Sequence, residues 1–392
     1  MASHGAPLAS SSHRILQLIQ APQRRGAEVF ALQLSTALRE RDWQSTIASL
    51  FAGDERFVHA ARAAGVWDGT LGGRRAWGLL SWKMLRAIAS RIDASGYPVV
   101  QANGAATLKY LATVRRLGGG RWRLVYRSIG MPSYWRRDPL RRAVYRWWFR
   151  QADLVIAVCR RAGAELVESM GLPARQVVVI PNGVDTGPFL SRSAEVRLRV
   201  RAEASILPGE VVVAHVGSLT SEKNHAALIR AAAALHCNGA AVRVWIIGDG
   251  PERGAIQRLV RDAGLGRQTW LAGVRSDVAD LLAAADLLVL PSLTEGMPAV
   301  AIEAGLSCLP VVAYTVGGVD EVVRHDRTGL LVPAGDEAAL QAAVARLVRD
   351  GRLRKAMGEA ARTACLVYEI PRIAAQYAEA YTRLLDGQPA DA

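Results

Sequence analysis

Two carboxylates, Glu295 and Glu303, frame the stretch Glu295-Gly-Met-Pro-Ala-Val-Ala-Ile-Glu303. Gly296 permits a tight turn, and Pro298 suits the first position of a helix, where its missing N–H costs nothing. Apolar runs flank the stretch: Leu287 to Leu290, followed by Pro291, and Pro310 to Ala313. A strand-to-helix crossing of this kind leaves amides near Met297, Ala299 and Val300 unpaired at the mouth of a sheet, where they suit an anion. Amides for a phosphate, with acids on either side for hydroxyls, would grip a nucleotide sugar. An ordinary turn with one solvated Glu and one helix-surface Glu fits the same residues, and this stretch alone does not separate the two.

Strands and helices must alternate to present such a turn, and they do so in two series. In the first, Arg14 to Ile19, Thr46 to Leu50, Pro98 to Ala102, Arg123 to Tyr126, Asp153 to Ala157 and Gln176 to Ile180 read as buried strands with helical spacing between them. Residues 186–208 lose this rhythm. A second series then follows with Val211 to Val216, Val242 to Ile247, Thr269 to Gly273, Leu287 to Leu290 and Pro310 to Ala313, and the chain closes helically from Glu337 to Leu385. Strand–helix–strand order implies parallel sheets with crossover helices, whose ligands lie at the carboxyl ends of the strands. The expected fold is α/β, with two doubly wound domains facing across a cleft. The expected limits are 1–187, 188–370, and a final helix over 371–392 that packs back on the first domain.

Other strand ends of the second series carry small or polar residues. Gly217-Ser218 leads to Lys223 at the expected start of a helix, where a cation opposes the dipole and so suggests an anionic ligand, although a snorkelling surface lysine fits as well. Gly248 and Gly250 allow close backbone approach, Arg275 follows the Thr269 strand, and Gly317-Gly318 follows the Pro310 strand.

The charge is unevenly placed. The chain carries +14 overall, of which residues 1–185 hold +15 and the remainder −1. A field of that kind attracts anionic partners. The four cysteines are scattered without a CxxC pair and read as reduced thiols. No apolar run approaches the ~20 residues of a membrane helix, and residues 1–13 lack a signal-peptide core, so a cytoplasmic protein without a span is expected.

Taken together, these residues resemble the retaining glycosyltransferases of family 4, which have the GT-B fold. The resemblance rests on the Glu295…Glu303 spacing within a Glu-Gly-x-Pro…Glu-Ala run. It extends to the Gly-x-Leu-x-x-x-Lys-Asn run ending at Asn224, Gly248-Asp-Gly-Pro251, Ala285-Asp286, Gly317-Gly318 with Glu321, Thr328 to Leu331, and Pro181-Asn-Gly-Val-Asp185. It covers about residues 180–335.

The resemblance implies a nucleotide-diphosphate sugar as donor, no other cofactor and no metal. Glu303 would accept hydrogen bonds from the ribose. Glu295, assigned with Lys223 to catalysis, would accept them from the transferred sugar. Lys223 and the amides from Gly296 through Met297 and Pro298 to Ala299 would neutralise the departing diphosphate. Gly217, Ser218, Gly248, Gly250 and Arg275 complete the expected donor set, and Arg25, Gly26, Asn103 and Arg127 are the expected residues of the first domain's cleft. The sequence departs from the family pattern in four places. Ser218 stands where an Arg is common, leaving Arg24 or Arg25 to replace that charge. Arg25-Gly26 stands for paired glycines, Arg127-Ser-Ile-Gly130 for His-Gly, and Gln101-Ala-Asn103 for another histidine, so no catalytic histidine is expected. These departures leave a second expectation, a catalytically impaired nucleotide-sugar-binding or scaffold protein of the same fold.

The densest cationic stretch, Tyr134 to Arg150, interleaves Arg with Trp and Tyr. It suits an interfacial helix on an anionic membrane. Equally, Trp147, Trp148 and Phe149 could dock the helix on its own sheet while the arginines snorkel. No nucleic-acid module accompanies it, and no such partner is expected. A membrane surface implies a lipid-linked rather than only a saccharide acceptor, and attachment at the inner membrane face.

Overall fold

The computed structural model describes residues 13–72, 80–118, 121–135, 138–191 and 193–389. They fall into two compact units, Met1–Gly183 with Ile370–Ala392, and Val184–Glu369. The expected junction at 187/188 lies inside the second unit.

The first unit holds β1 (Arg14–Ile19), β2 (Gln44–Ser49), β3 (Trp67–Thr70), β4 (Val99–Asn103), β5 (Arg123–Ser128), β6 (Leu154–Ala157) and β7 (Val177–Val179). They form one parallel sheet in the order β3-β2-β1-β4-β5-β6-β7. Its inner strands are largely buried, which is why β1, β4, β5 and β6 each carry an apolar run, while β2 (Gln-Ser-Thr-Ile-Ala-Ser) buries Ser45 and Ser49 as well. The short edge strand β3, Trp-Asp-Gly-Thr, lacks that run and is not apparent from the sequence. Helices Gly26–Arg39 and Ile370–Leu385 cover one face. Tyr377 packs on Phe30 with ring centroids 5.7 Å apart, and Tyr381 packs on Trp43 at 5.3 Å. The last helix is thus part of the first unit's core.

The second unit holds β8 (Val211–Val216), β9 (Val242–Ile247), β10 (Thr269–Gly273), β11 (Leu287–Leu290), β12 (Val311–Tyr314) and β13 (Gly329–Val332). The order is β10-β9-β8-β11-β12-β13, again all parallel. Strands are added outward from β8 to β10 on one side and resume at β11 on the other, a switch that opens a crevice beyond the carboxyl ends of β8 and β11. Asp286 sets the base of this pair. It accepts from Arg197 at 2.6 Å, Arg201 at 3.0 Å and the Val212 amide at 2.7 Å, tying helix Ala194–Glu203 to the starts of β8 and β11. The Ala285-Asp286 motif therefore has a structural reason for its acid.

The helix Pro139–Phe149 corrects one sequence expectation. Only Phe149 docks fully. It is 1% exposed and stacks on Tyr126 at 5.1 Å, burial that contributes roughly 2–3 kcal/mol. Trp147 is 43% exposed and Trp148 is half-buried against Tyr145, because helical phase turns each adjacent residue by about 100°. Positions 136–137 of the basic stretch lie outside the described residues.

Candidate active site

Two loops build the crevice of the second unit, one leaving β8 and one leaving β11. After β8 the chain runs through Gly217 and Ser218 into a 3-10 turn, Ser221–Lys223, then Asn224 in a left-handed conformation at φ 51°. Helix His225–Cys237 starts only there. Lys223 is therefore not on a helix N-terminus, as its spacing predicts, and its charge is answered differently. Its Nζ donates to Glu295 Oε1 at 2.6 Å, with the two side chains 21% and 11% exposed. The loops are also joined through the backbone, where the Leu293 amide donates to the Glu222 carbonyl at 2.8 Å.

After β11 the chain passes Ser292 and Glu295 to the helix Ala299–Leu306. Pro298 is the residue capping that helix (φ −75°, ψ 109°), one place earlier than the sequence predicts. The first-turn amides of Ala299 and Val300 precede the helix's own hydrogen-bond ladder and stay available to an acceptor. Glu303 lies in the next turn, half-buried. Desolvation alone pushes its carboxyl up to about 7.

Glycine at two positions follows from close approach. A Cβ on Gly248 (φ +136°) would meet the Gly217 carbonyl oxygen, and one on Gly317 (φ +55°) would meet that of Glu295. The Gly318 amide donates to the Gly296 carbonyl at 2.6 Å. The loops carrying Gly217, Gly248 and Gly250 thus meet backbone to backbone, as do those carrying Glu295, Gly296 and Gly317. Ser218 Oγ sits 3.3 Å from Thr220 Oγ1. Arg275 makes a fork to Asp277 at 2.8 and 2.7 Å and lies over the Trp270 ring at 5.6 Å.

Beneath this crevice lies a feature the sequence does not advertise. His215 on β8 and His225 are both buried, with ring centroids 4.6 Å apart. His215 Nδ1 is 2.9 Å from the Val289 carbonyl, so it carries the proton, and Nε2 is left as a buried acceptor without a partner. Burial holds His215 near 3, with the charges of His225 and Lys223 acting in the same direction. Burial and the charge of Lys223 hold His225 near 4. Both rings are neutral neighbours of the Lys223 ammonium at ordinary pH.

In the first unit, Arg25 precedes the Gly26–Arg39 helix, and both Arg25 and Gly26 are exposed. Arg127 and Asn103, expected to line a cleft, are instead buried at 1% and 7% exposure. Arg127 stacks on Phe30, its Cζ 3.8 Å from the ring centroid, and donates to Asn182 Oδ1 at 2.6 Å. Strand alternation on β5 turns residue 127 toward the same layer as Val125. Asn103 belongs to an amide network, donating to Gln17 Oε1 at 2.9 Å. Gln101 donates to the same oxygen at 2.8 Å and accepts from Tyr381 at 2.6 Å. Burial pushes the nearby Glu28 carboxyl up to about 7, against a backbone hydrogen bond and the charges of Arg25 and Arg127.

The architecture of both units is found in solved glycosyltransferases. The chain superposes on HepE of Anabaena, crystallised with UDP and glucose, with a TM-score of 0.82, 23% identity, and coverage of 94% of this chain and 99% of that one. This likeness shows the GT-B fold. Residues 24–187 match the model for glycosyltransferase family 4, and residues 197–364 that for glycosyl transferases group 1. The chain is 31% identical over 269 residues to the GDP-mannose-dependent alpha-(1-6)-phosphatidylinositol monomannoside mannosyltransferase of Mycolicibacterium smegmatis, covering 66% of this chain and 69% of that one. It is 30% identical over 216 residues to the 2-deoxystreptamine glucosyltransferase of Streptomyces kanamyceticus, covering 55% and 56%. The chain belongs to glycosyltransferase family 4. Its matches span 24% to 69% of the length of such curated relatives.

Proposed function

We propose that the protein moves a hexosyl group from a nucleotide-diphosphate sugar to a saccharide or lipid-linked acceptor, with retention of configuration and without a metal, in surface polysaccharide or glycolipid synthesis. The observation that carries this reading is the Lys223–Glu295 pair spanning the β8 and β11 loops, the latter leading directly into the helix that holds Ala299, Val300 and Glu303. Breaking a glycosyl–phosphate bond builds negative charge on the phosphate and an oxocarbenium-like sugar, so donors fixed at the phosphate lower the barrier most. Lys223 takes that role, shared between Glu295 and the diphosphate. Glu295 accepts from the sugar hydroxyls and Glu303 from the ribose, while Gly217, Ser218, Gly248, Gly250, Arg275 and Gly296 to Ala299 surround the nucleotide. The leaving phosphate takes the acceptor's proton in a front-face displacement. The first domain receives the acceptor, with Arg25 and Gly26 at its exposed edge and Asn103 and Arg127 supporting it from beneath.

The acceptor's setting is a membrane face. Leu140, Val144 and Trp147 on helix Pro139–Phe149 are 75%, 39% and 43% exposed at one-turn spacing, with Arg141 and Arg150 exposed beside them. Such a stripe suits peripheral attachment to an anionic leaflet, here the inner face of the cytoplasmic membrane. Among the described residues no helix is long and apolar enough to cross a membrane. Thermal-shift screening against UDP-, GDP- and ADP-sugars tests the donor part. A shift with one base series is expected, and no shift with any of them would contradict it.

A further inference from the structure

Two buried imidazoles of the second unit have no part in the transfer chemistry proposed above, yet their geometry ties them to Lys223. The paired register of β8 and β11 ends at Ala214 and Leu288. One residue further along each strand, His215 Nδ1 donates to the Val289 carbonyl at 2.9 Å, so a side chain joins the strands where the ladder stops. The His225 ring, at the start of helix His225–Cys237, meets the His215 ring edge-on, with centroids 4.6 Å apart and planes at 75°. In the chain, only Asn224 at φ 51° separates His225 from Lys223. The lysine's stem returns to the same place. A Cβ on Gly217 would stand 3.5 Å from His215 Nε2 and 3.8 Å from Lys223 Cε, so the imidazole edge and the lysine stem flank one bare glycine.

This arrangement is costly. Nε2 of each ring is shut off from solvent without a hydrogen-bond partner among the described residues, a desolvation cost that apolar side chains of similar shape would avoid. Imidazole supplies what they lack: an Nδ1–H for the Val289 carbonyl and an acceptor edge facing the lysine stem across Gly217. It also adds no competing charge, because burial keeps both rings neutral. We propose that His215 and His225 are positioning residues for Lys223, setting the reach of its ammonium toward the second phosphate of a nucleotide. The proposal rests on the transferase reading, which gives Lys223 to the departing diphosphate. Both rings are buried and touch no donor themselves. Once released from Glu295, the ammonium travels only as far as a stem anchored beside Gly217 allows, so the anchor decides which phosphate it serves.

The test is isothermal titration of the full chain with UMP, UDP, GMP and GDP, reading the ratio of monophosphate to diphosphate Kd in the base series that binds. Lys223→Ala is expected to lower this ratio about tenfold, the loss of one charge-assisted contact. His225→Ala and His215→Phe are expected to lower it about threefold or more while leaving monophosphate affinity within about twofold. His215→Asn, whose amide can still donate to the Val289 carbonyl, is expected to recover most of the ratio. In a Lys223→Ala background, His225→Ala is expected to change the ratio no further. Circular dichroism verifies each fold, and should His225→Ala unfold, the comparison of His215→Phe with His215→Asn decides alone. An unchanged ratio in the histidine variants, equal losses for monophosphate and diphosphate, or a further fall in the ratio on the Lys223→Ala background would each overturn the proposal and leave the transferase reading standing. An unchanged ratio in Lys223→Ala itself would contradict the transferase reading of that lysine and this inference with it, so the two failures are told apart.

Discussion

Lys223 and Glu295 meet at 2.6 Å across the two loops that leave β8 and β11. The residues that the family resemblance assigns to catalysis thus hold each other before any donor arrives. Under the proposed function, a diphosphate entering the crevice would compete with Glu295 for the lysine. It would also find two neutral histidines, His215 and His225, near the lysine rather than a second cation.

The pair should behave as a coupled unit in folding as well as in transfer. Glu295→Ala or Lys223→Ala leaves a largely buried charge without its partner and is expected to destabilise the fold by about 1–3 kcal/mol. The double variant is expected to lose less than the sum, with a coupling of about 0.5–3 kcal/mol in urea unfolding. Strict additivity would mean that the 2.6 Å contact carries no energy.

Donor binding should release a proton. The Glu303 carboxyl, pushed up to about 7 by desolvation, is only partly ionised at neutral pH. Accepting ribose hydroxyls favours its ionised form, so affinity rises between about pH 6 and 8. Titration of a shift-positive nucleotide in buffers of differing ionisation enthalpy should show proton release, absent in Glu303→Gln. Buffer-independent heats for the wild type would refute this.

Stability should also depend on pH in a predictable direction. His215 and His225 are held near 3 and 4, below their ordinary 6.5, so the unfolded chain binds more protons. Their contribution is complete above about 6.5 and is lost as pH falls toward 4–3, by up to about 1.4 kcal/mol per pH unit for each group. Glu28 and Glu303 act oppositely: their contribution is complete below about 4.5 and lost as pH rises through 7. His215→Phe should flatten the acid limb of a plot of melting temperature against pH. An unchanged acid limb would exclude the histidine pair as its source.

Gly248→Ala should damage both fold and site. Its Cβ would meet the Gly217 carbonyl oxygen from a backbone at φ +136°. A loss of about 2–3 kcal/mol is expected, together with weakened nucleotide binding, as read by calorimetry.

Replacing the exposed Leu140, Val144 and Trp147 with serine should leave the melting temperature within a degree or two, because none is buried. Sedimentation with anionic vesicles should fall by about tenfold. Undiminished sedimentation would remove this helix face from the membrane account.

Much of this was legible in the residues. Near-continuous apolar strands broken by helical spacing disclose two parallel sheets, and Glu295-Gly-x-Pro with Glu303 discloses the turn at the head of the second crevice. What stayed hidden depends on distance or phase. The partnership of Lys223 with Glu295 joins residues far apart in sequence, through two irregular loops. The inward turn of Arg127 depends on strand parity, and the split between Trp147 and Phe149 on helical phase. His215 sits in a Val-Ala-His-Val run that reads as ordinary core, and its meeting with His225 depends on the 3-10 turn between them. The edge strand β3 has too little apolar content to announce itself.

The central claim, a nucleotide sugar held by Glu303 and acted on at Lys223–Glu295, is tested most directly by titrating wild type, Glu303→Ala and Glu295→Ala with the nucleotide sugar that shifts the melting temperature. Losing hydrogen bonds to a charged acceptor costs about 1.5–3 kcal/mol, so Glu303→Ala should bind at least about tenfold more weakly. Glu295→Ala should bind comparably but transfer far more slowly. Wild-type affinity of Glu303→Ala for every UDP-, GDP- and ADP-sugar would contradict the account.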